Sequence, residues 1–371
     1  MDRLLPGLDE ALGDIPLMQL EEPPTVGLEA FREAGGPGLL VPTDHLGAGA
    51  TAVEAVQVQR AIGSRAPSVA IAVTMHHYSI ATFMAFLAET PRSNDWLLLD
   101  AIAEGNLLVA SGFAEGQAGR GTQKPTMDAR PIPTGFVLNG TKKPCSLSES
   151  MDMMSASMLV PSEEGEGQQL AVALVPASSE GIERTPFWSS PILAAAESHA
   201  VTLRDVEVPD RLVFRSISKT GERLDIVQIS SSVWFELLIS AAYLGIASRL
   251  IELVLAGERG TDSERASLVA DLETSASAIE ALAHDLEADG AGEELLVRSL
   301  LARYSTQGAI ARATAQAVEM LGGMAFIGSA EVAYLHAAAQ CLAFHPPARS
   351  RAAGSIAKFV AGNVGLDAAM L

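Results

Sequence analysis

The chain has 371 residues, 48% of them hydrophobic and 19% charged. That is enough for a large buried core split over more than one domain, and too apolar for a disordered protein. Its 45 acids against 25 bases leave a formal charge of −20, which excludes a nucleic-acid protein because neutralising phosphates needs a basic face. Two cysteines, Cys145 and Cys341, exclude a disulfide scaffold and fit a reducing, cytoplasmic setting. The opening MDRLLPGLDEALGD lacks the apolar stretch of a signal peptide.

In chain order, Thr51-Ala-Val-Glu54 reads as a capping box that opens a helix running through Ile62. Ala66 to Ala88 carries no Asp, Glu, Lys or Arg and has the length of a bilayer span. Its Pro67, Ser68, Thr74, His76, His77, Ser79 and Thr82 are costly in lipid, so one or two buried helices, with Met75–Leu87 among them, are expected and no membrane. A helix over Asn94–Ala103 stops at Gly105 and completes an N-terminal helical domain, 1–105. Leu107–Phe113, Phe136–Leu138, Ser157–Val160, Leu170–Val175 and Ala200–Leu203 are short strand candidates, several rich in β-branched residues. Asn139-Gly140 between two of them is a hairpin signal. These strands define a middle antiparallel β domain, 106–211.

Seventeen of the 19 prolines lie at or before Pro209; Pro346 and Pro347 are the exceptions. Their absence from 210 to 345 marks long helices. Leu224–Ala256 stops at Gly257; Ser263–Ala288 repeats Leu268, Leu272, Ala276, Ile279, Leu282 and Leu286 on one face; Glu293–Leu321 stops at Gly322-Gly323. Shorter helices are expected at Ala330–Leu342 and Ser350–Val360. The fold class is therefore α+β, with a C-terminal helical bundle over 212–371.

Standard catalytic signatures are missing: no G-x-S-x-G elbow, P-loop, H-E-x-x-H, paired C-x-x-C or G-x-G-x-x-G after a strand. Of the seven histidines only His76 and His77 are close in sequence. Neighbours on a helix point about 100° apart, so no metal site is expected.

An α, then β, then α-bundle order coincides with particular strings. Gly38-Leu-Leu-Val-Pro42 with Gly47 and Gly49, the hairpin string Gly135-Phe-Val-Leu-Asn-Gly140-Thr-Lys142, the strand Val201-Thr-Leu-Arg-Asp-Val-Glu-Val-Pro209, Leu244-Gly-Ile-Ala247 and Glu319-Met-Leu-Gly-Gly323 follow one another as they do in acyl-CoA dehydrogenases. The chain resembles that superfamily over nearly its whole length. The resemblance implies FAD, bound between the β domain and the bundle, and a homodimer or homotetramer in which the cofactor's pyrophosphate reaches a neighbouring subunit. It places Phe113 and Ala114, in Ser111–Gly119, against the flavin pyrimidine, and the hydroxyl of Ser146 near its N5. Pro144 stands where the family keeps a tryptophan over the ring. Arg259, Glu319, Gly322 and Gly323 stand where the family contacts the pyrophosphate, with Glu319 in place of Gln and the "FG" after Arg259 replaced by Gly260-Thr-Asp-Ser.

At the usual catalytic Glu the chain has His345, followed by Pro346-Pro347. The family's alternative Glu position falls on Phe235, with Glu236 beside it. His345 and Glu236 are thus the catalytic candidates, His345 offering acid–base chemistry near neutral pH. His76 and His77 sit on the helix that lines the pocket in this fold; a buried, satisfied imidazole is the plainer reading of each. Cys145 reads as packing. Lys124, Arg130, Lys142 and Lys143 read as a solvated edge of the β domain in preference to a phosphate patch.

The reading that follows is an atypical FAD-dependent oxidoreductase, acting on an acyl or amino-acyl substrate, carried as a thioester or free, in a specialised biosynthetic step. The alternative is a flavin-dependent monooxygenase of the same fold, with reduced flavin supplied by a partner reductase. A third reading is a flavin-free binding or assembly subunit.

Overall fold

A computed structural model of the chain describes residues 1–89, 95–117, 124–162, 167–219, 223–362 and 365–366. Asn94 and Gly119, which the expected helix and the expected flavin loop include, lie outside them. Among the described residues, six α-helices come first: α1 Leu8–Gly13, α2 Leu17–Leu20, α3 Val26–Glu33, α4 Ala52–Arg65, α5 Pro67–Glu89 and α6 Trp96–Glu104. Eight strands follow: β1 Val109–Gly112, β2 Asp128–Ile132, β3 Gly135–Cys145, β4 Met153–Pro161, β5 Gln168–Pro176, β6 Ile182–Thr185, β7 His199–Pro209 and β8 Val213–Lys219. Six more helices close it: α7 Ile226–Ala256, α8 Asp262–Asp289, α9 Glu293–Leu321, α10 Gly323–Gly328, α11 Ala330–Ala339 and α12 Arg349–Val360. The class is α+β, as the sequence implies. Strand β8 lies beyond residue 211, where the sequence reading closed the β region.

Local chemistry accounts for the helix ends. The Thr51 and Glu54 side chains form the expected capping box at α4. Asp225 with Gln228 does the same for α7, and Thr261 with Glu264 for α8. The charge-free stretch is a single helix, α5. Helices α5 and α7 are both long and apolar enough to cross a membrane, and 78% of each apolar window is buried inside the protein.

The strands form two four-stranded sheets, ordered β1-β4-β5-β8 and β2-β3-β7-β6. Two sequence expectations are corrected here. The middle is not wholly antiparallel: β1 pairs with β4 in parallel. A parallel neighbour needs a long crossover, and the chain makes it by building β2 and β3 into the other sheet. Asn139-Gly140 is not a hairpin turn but part of β3, where the register shifts between Leu138 and Gly140. The turn falls earlier, between Ile132 and Gly135. Asn139 bonds across the sheet to Asp205, donating from Nδ2 to its carboxylate at 3.0 Å and accepting its N–H at 2.9 Å.

Helix α7 is the axis of the molecule: α4 and α5 from the N-terminal part and α8, α9 and α11 from the bundle all pack on it. Where α4 crosses α7, Gly63 meets Gly245. A Cβ on Gly245 would lie 2.0 Å from the Arg60 carbonyl oxygen, and one on Gly63 would lie 2.3 Å from that of Ala242. The glycine in Leu244-Gly-Ile-Ala247 is therefore required by backbone-to-backbone contact. Gly245→Ala should push the two helices apart at a cost of about 1–3 kcal/mol. Urea unfolding reads this as a lower midpoint, and an unchanged midpoint would rule out the close crossing.

Candidate active site

A cavity of about 230 Å³ opens where α5, the exit of β1, the end of β3, α7 and the segment Phe344–Pro347 meet. One wall is a run of rings. Tyr78 stands edge-on to Phe113 at 5.3 Å and to Phe235 at 5.7 Å between centroids. Phe235 lies 6.1 Å from His345, which is edge-on to Tyr243 at 5.4 Å. Facing them are hydroxyls: Ser146 and Ser198 are buried and share a hydrogen bond of 2.9 Å. Trp188 completes the lining, its Nε1–H held on the Ile192 carbonyl at 2.9 Å. The Trp188–Ser198 stretch is pinned where the Leu193 N–H donates to the Tyr334 hydroxyl at 2.9 Å.

Polar groups at the bundle side of the cavity are locked by one cation. Arg303, on α9, is 1% exposed. Its Nη1 donates to the His345 carbonyl at 3.0 Å and its Nη2 to the Pro347 carbonyl at 2.5 Å. The Tyr304 hydroxyl also donates to Pro347, at 2.9 Å. Arg303 Nε lies 2.6 Å from Oε2 of Glu236, itself 1% exposed. That N–H is misaligned, so the pair is in charge contact without a hydrogen bond. Burial pushes the Glu236 carboxyl up to about 7 against the opposing pull of Arg303. Burial, helped by Arg303, pushes His345 down to about 3.

The expectation that His345 titrates near neutrality is corrected accordingly: in this desolvated place, beside a cation, the imidazole stays neutral. Its Nε2 lies 2.9 Å from the Tyr243 hydroxyl. Burial raises Tyr243 well above its ordinary value, so the phenol keeps its proton and the contact is a hydrogen bond between two neutral groups.

The structure brings together five of the sequence candidates, since Phe113, Ala114, Ser146, Glu236 and His345 all line this cavity. The exit of β1 is rigidly held. Ala114 accepts the Lys143 N–H at 2.8 Å, and the next residue, Glu115, takes the buried Lys142 ammonium at 2.7 Å and the Thr126 N–H at 2.8 Å. Lys142 is therefore an interior strut, not part of a solvated edge. Arg259, Glu319, Gly322 and Gly323 are not at the cavity. Arg259 and Glu319 are exposed, Gly322 ends α9, Gly323 starts α10, and Met320 lies against Gly260, so the four gather at a separate surface. His76 is a strut: it bridges the Pro37 carbonyl at 2.9 Å and the Val109 N–H at 3.0 Å. His77 is buried and packs edge-on against Phe31; neither histidine lines the cavity. Cys145 is buried and its thiol is pushed up to about 12 by desolvation, as packing requires.

Sequence reasoning missed Trp188, Ser198, Tyr243 and Arg303. Arg303 left a trace: it falls on the apolar face of its helix, in step with Leu296, Leu300 and Ile310.

No protein-family model matches the chain. Over 363 residues, 97% of this chain and 96% of the relative, it is 44% identical to the isobutylamine N-hydroxylase of Streptomyces viridifaciens. Among solved structures it is similar to FMN-bound TdsC, a dibenzothiophene monooxygenase of Paenibacillus sp. A11-2, with a TM-score of 0.82, 17% identity and 98% of each chain covered. It is also similar to the nitrososynthase of Micromonospora carbonacea var. africana, with a TM-score of 0.82, 18% identity and coverage of 98% of this chain and 96% of that one. The chain belongs to the flavin-dependent monooxygenase branch of the acyl-CoA dehydrogenase superfamily. Of the readings drawn from the sequence, the monooxygenase is the one these relatives match. The oxidoreductase class and the flavin are common to both flavin readings, and TdsC is a structure with FMN bound.

As a member of this branch the protein needs a seat for an isoalloxazine ring, and the cavity has the donor set for one. The Ser146–Ser198 pair uses one hydroxyl proton internally, which leaves the second to donate outward. The Phe113–Ala114 backbone is fixed at the rim, and Trp188 offers an aromatic face where Pro144 cannot.

The His76 strut has a pH signature. Burial pushes His76 down to about 4 from its ordinary 6.5. The unfolded chain therefore binds the extra proton first as pH falls, so this group's contribution is complete above pH 6.5 and is lost on the way down to 4, by about 3 kcal/mol. His76→Gln should be less stable than wild type at neutral pH, and the gap should narrow steadily on acidification. Urea titrations at several pH values measure it; a gap independent of pH would remove His76 from this role.

Proposed function

We propose that the chain is an amine N-hydroxylase, converting a small aliphatic primary amine into its hydroxylamine with reduced flavin and dioxygen. The observation that carries this reading is the 44% identity, end to end, with isobutylamine N-hydroxylase. The site supports it. The superfamily's carboxylate for α-proton abstraction is replaced by His345, held neutral and bonded to Tyr243, so an acyl chain would find no base in the usual place. When bound, a reduced flavin supplies two electrons and sends one atom of dioxygen to the substrate while the other leaves as water.

The chain's own residues prepare the site. Tyr78, Phe113 and Phe235 exclude water from around the substrate. Tyr243 ties down one edge of the His345 ring through its hydrogen bond to Nε2. Arg303 holds the His345–Pro347 backbone so that the ring cannot swing away.

We assign FMN as the flavin rather than the FAD that the superfamily resemblance implies. TdsC carries FMN, and the surface formed by Arg259 and Gly322-Gly323 presents an acid, Glu319, where an adenosine diphosphate moiety would need positive charge. A separate reductase is the proposed source of reduced flavin, since the sequence has no dinucleotide fingerprint. A homo-oligomer is proposed with it, supported by Met324 and Ile327, each 81% exposed on α10. A cytoplasmic location is supported by two free, buried cysteines.

Supplied with FMN, an NADH-dependent flavin reductase, isobutylamine and ¹⁸O₂, the purified protein should release a hydroxylamine carrying one ¹⁸O atom, read by mass spectrometry. Product without the label, or no hydroxylamine from any short primary amine, would overturn the reading. FMN should bind at least about tenfold more tightly than FAD, a difference of about 1.4 kcal/mol that equilibrium titration of the flavin absorbance resolves.

A further inference from the structure

We propose that Glu236 is the amine-selecting residue of the cavity, its carboxylate receiving the N–H donors of an alkylammonium that enters along the apolar wall. For its choice of ligand this inference rests on the N-hydroxylase reading.

Three observations carry it. First, Glu236 is the one acidic side chain among the described residues that line the cavity. Second, both of its carboxylate oxygens are buried and neither has a hydrogen-bond partner. A carboxylate can accept about four hydrogen bonds, and leaving a buried one empty is unfavourable, so a ligand that brings donors is favoured. Third, the nearby cation cannot fill that need. Arg303 gives its Nη atoms to the carbonyls of His345 and Pro347 and only touches Glu236 through a misaligned Nε.

A primary alkylammonium matches what remains, with three donors and a positive charge on an apolar stem. An alcohol of the same shape brings one donor and no charge, and a free carboxylic acid brings the wrong sign. The same carboxylate thus selects for amines and against acids. The rest of the wall, including Ile71, Met75 and Phe235, sets only the size of the stem.

The test uses the flavin-loaded protein and measures binding by calorimetry, with isobutylamine and isobutanol as probes. Glu236→Gln should weaken isobutylamine at least about tenfold, equivalent to about 1.4 kcal/mol, and leave isobutanol unchanged. Glu236→Asp should stay much closer to wild type. Equal affinity of wild type and Glu236→Gln for isobutylamine, or equal losses for both probes, would overturn the proposal.

Because Glu236→Gln also leaves Arg303 without its counter-charge and risks the fold, wild type provides a second arm. Isobutylamine binding should tighten as pH rises through about 7, where the buried carboxyl ionises, while isobutanol binding stays flat; a flat amine curve would overturn the proposal. The groups that face Glu236 keep their charge around neutrality. Arg303 on α9 remains a cation, Tyr304 on α9 and Tyr243 on α7 are raised by burial, and His345 is already neutral. Hydroxylamine formation is scored separately. Charge-dependent amine binding with no hydroxylamine would sink the N-hydroxylase reading and uphold Glu236 as the amine site.

Discussion

A single buried guanidinium organises the chemistry of this molecule. Arg303 reaches from α9 to two carbonyls of the His345–Pro347 segment and to the carboxylate of Glu236 on α7. Its charge acts on both neighbours in the same direction, disfavouring a proton on His345 and favouring its loss from Glu236. Burial acts on them in opposite senses, because it penalises an imidazolium and a carboxylate alike. The outcome is one neutral imidazole at about 3 and one acid poised at about 7, set side by side by environment rather than by residue type.

The superfamily scaffold explains why such a change of chemistry is accessible. The ring's proposed seat is built from strand ends and hydroxyls, and the reacting side from α7 and the loop after α11. These are separate parts of the chain, so the second can change while the first is kept. Function is carried by the site and not by the fold. Trp188 illustrates the same freedom on the other side: an aromatic face reaches the cavity from a different loop while Pro144 occupies the usual place.

Much of this was legible in the sequence where local physics decides. Helix α9 begins at Glu293 and ends at Leu321 because no proline interrupts it and Gly322 stops it. The Thr51 capping box was readable for the same reason, and the equivalent signals at Asp225 and Thr261 were there to be read. Where distant partners decide, the reading failed. Asn139-Gly140 carries a strong turn propensity, yet pairing with β7 and the bonds to Asp205 hold it inside a strand. The parallel β1–β4 pair depends on a neighbour more than 40 residues away in the register Val109 to Met153, which no local pattern encodes. His345 was found by position, but its charge state was not, since that is set by burial in the folded cavity, with help from Arg303, 42 residues earlier.

The glycine crossing of α4 on α7 has a consequence for biosynthesis. Gly63 and the long, largely apolar helix α5 leave the ribosome well before Gly245 does. At roughly 5–20 residues per second, a nascent chain waits about ten seconds or more for the helix that will cover it. During that interval the sides of α4 and α5 that pack on α7 have no native cover. The N-terminal third is thus completed late, and a truncation before α7 would leave the α7-facing sides of α4 and α5 uncovered.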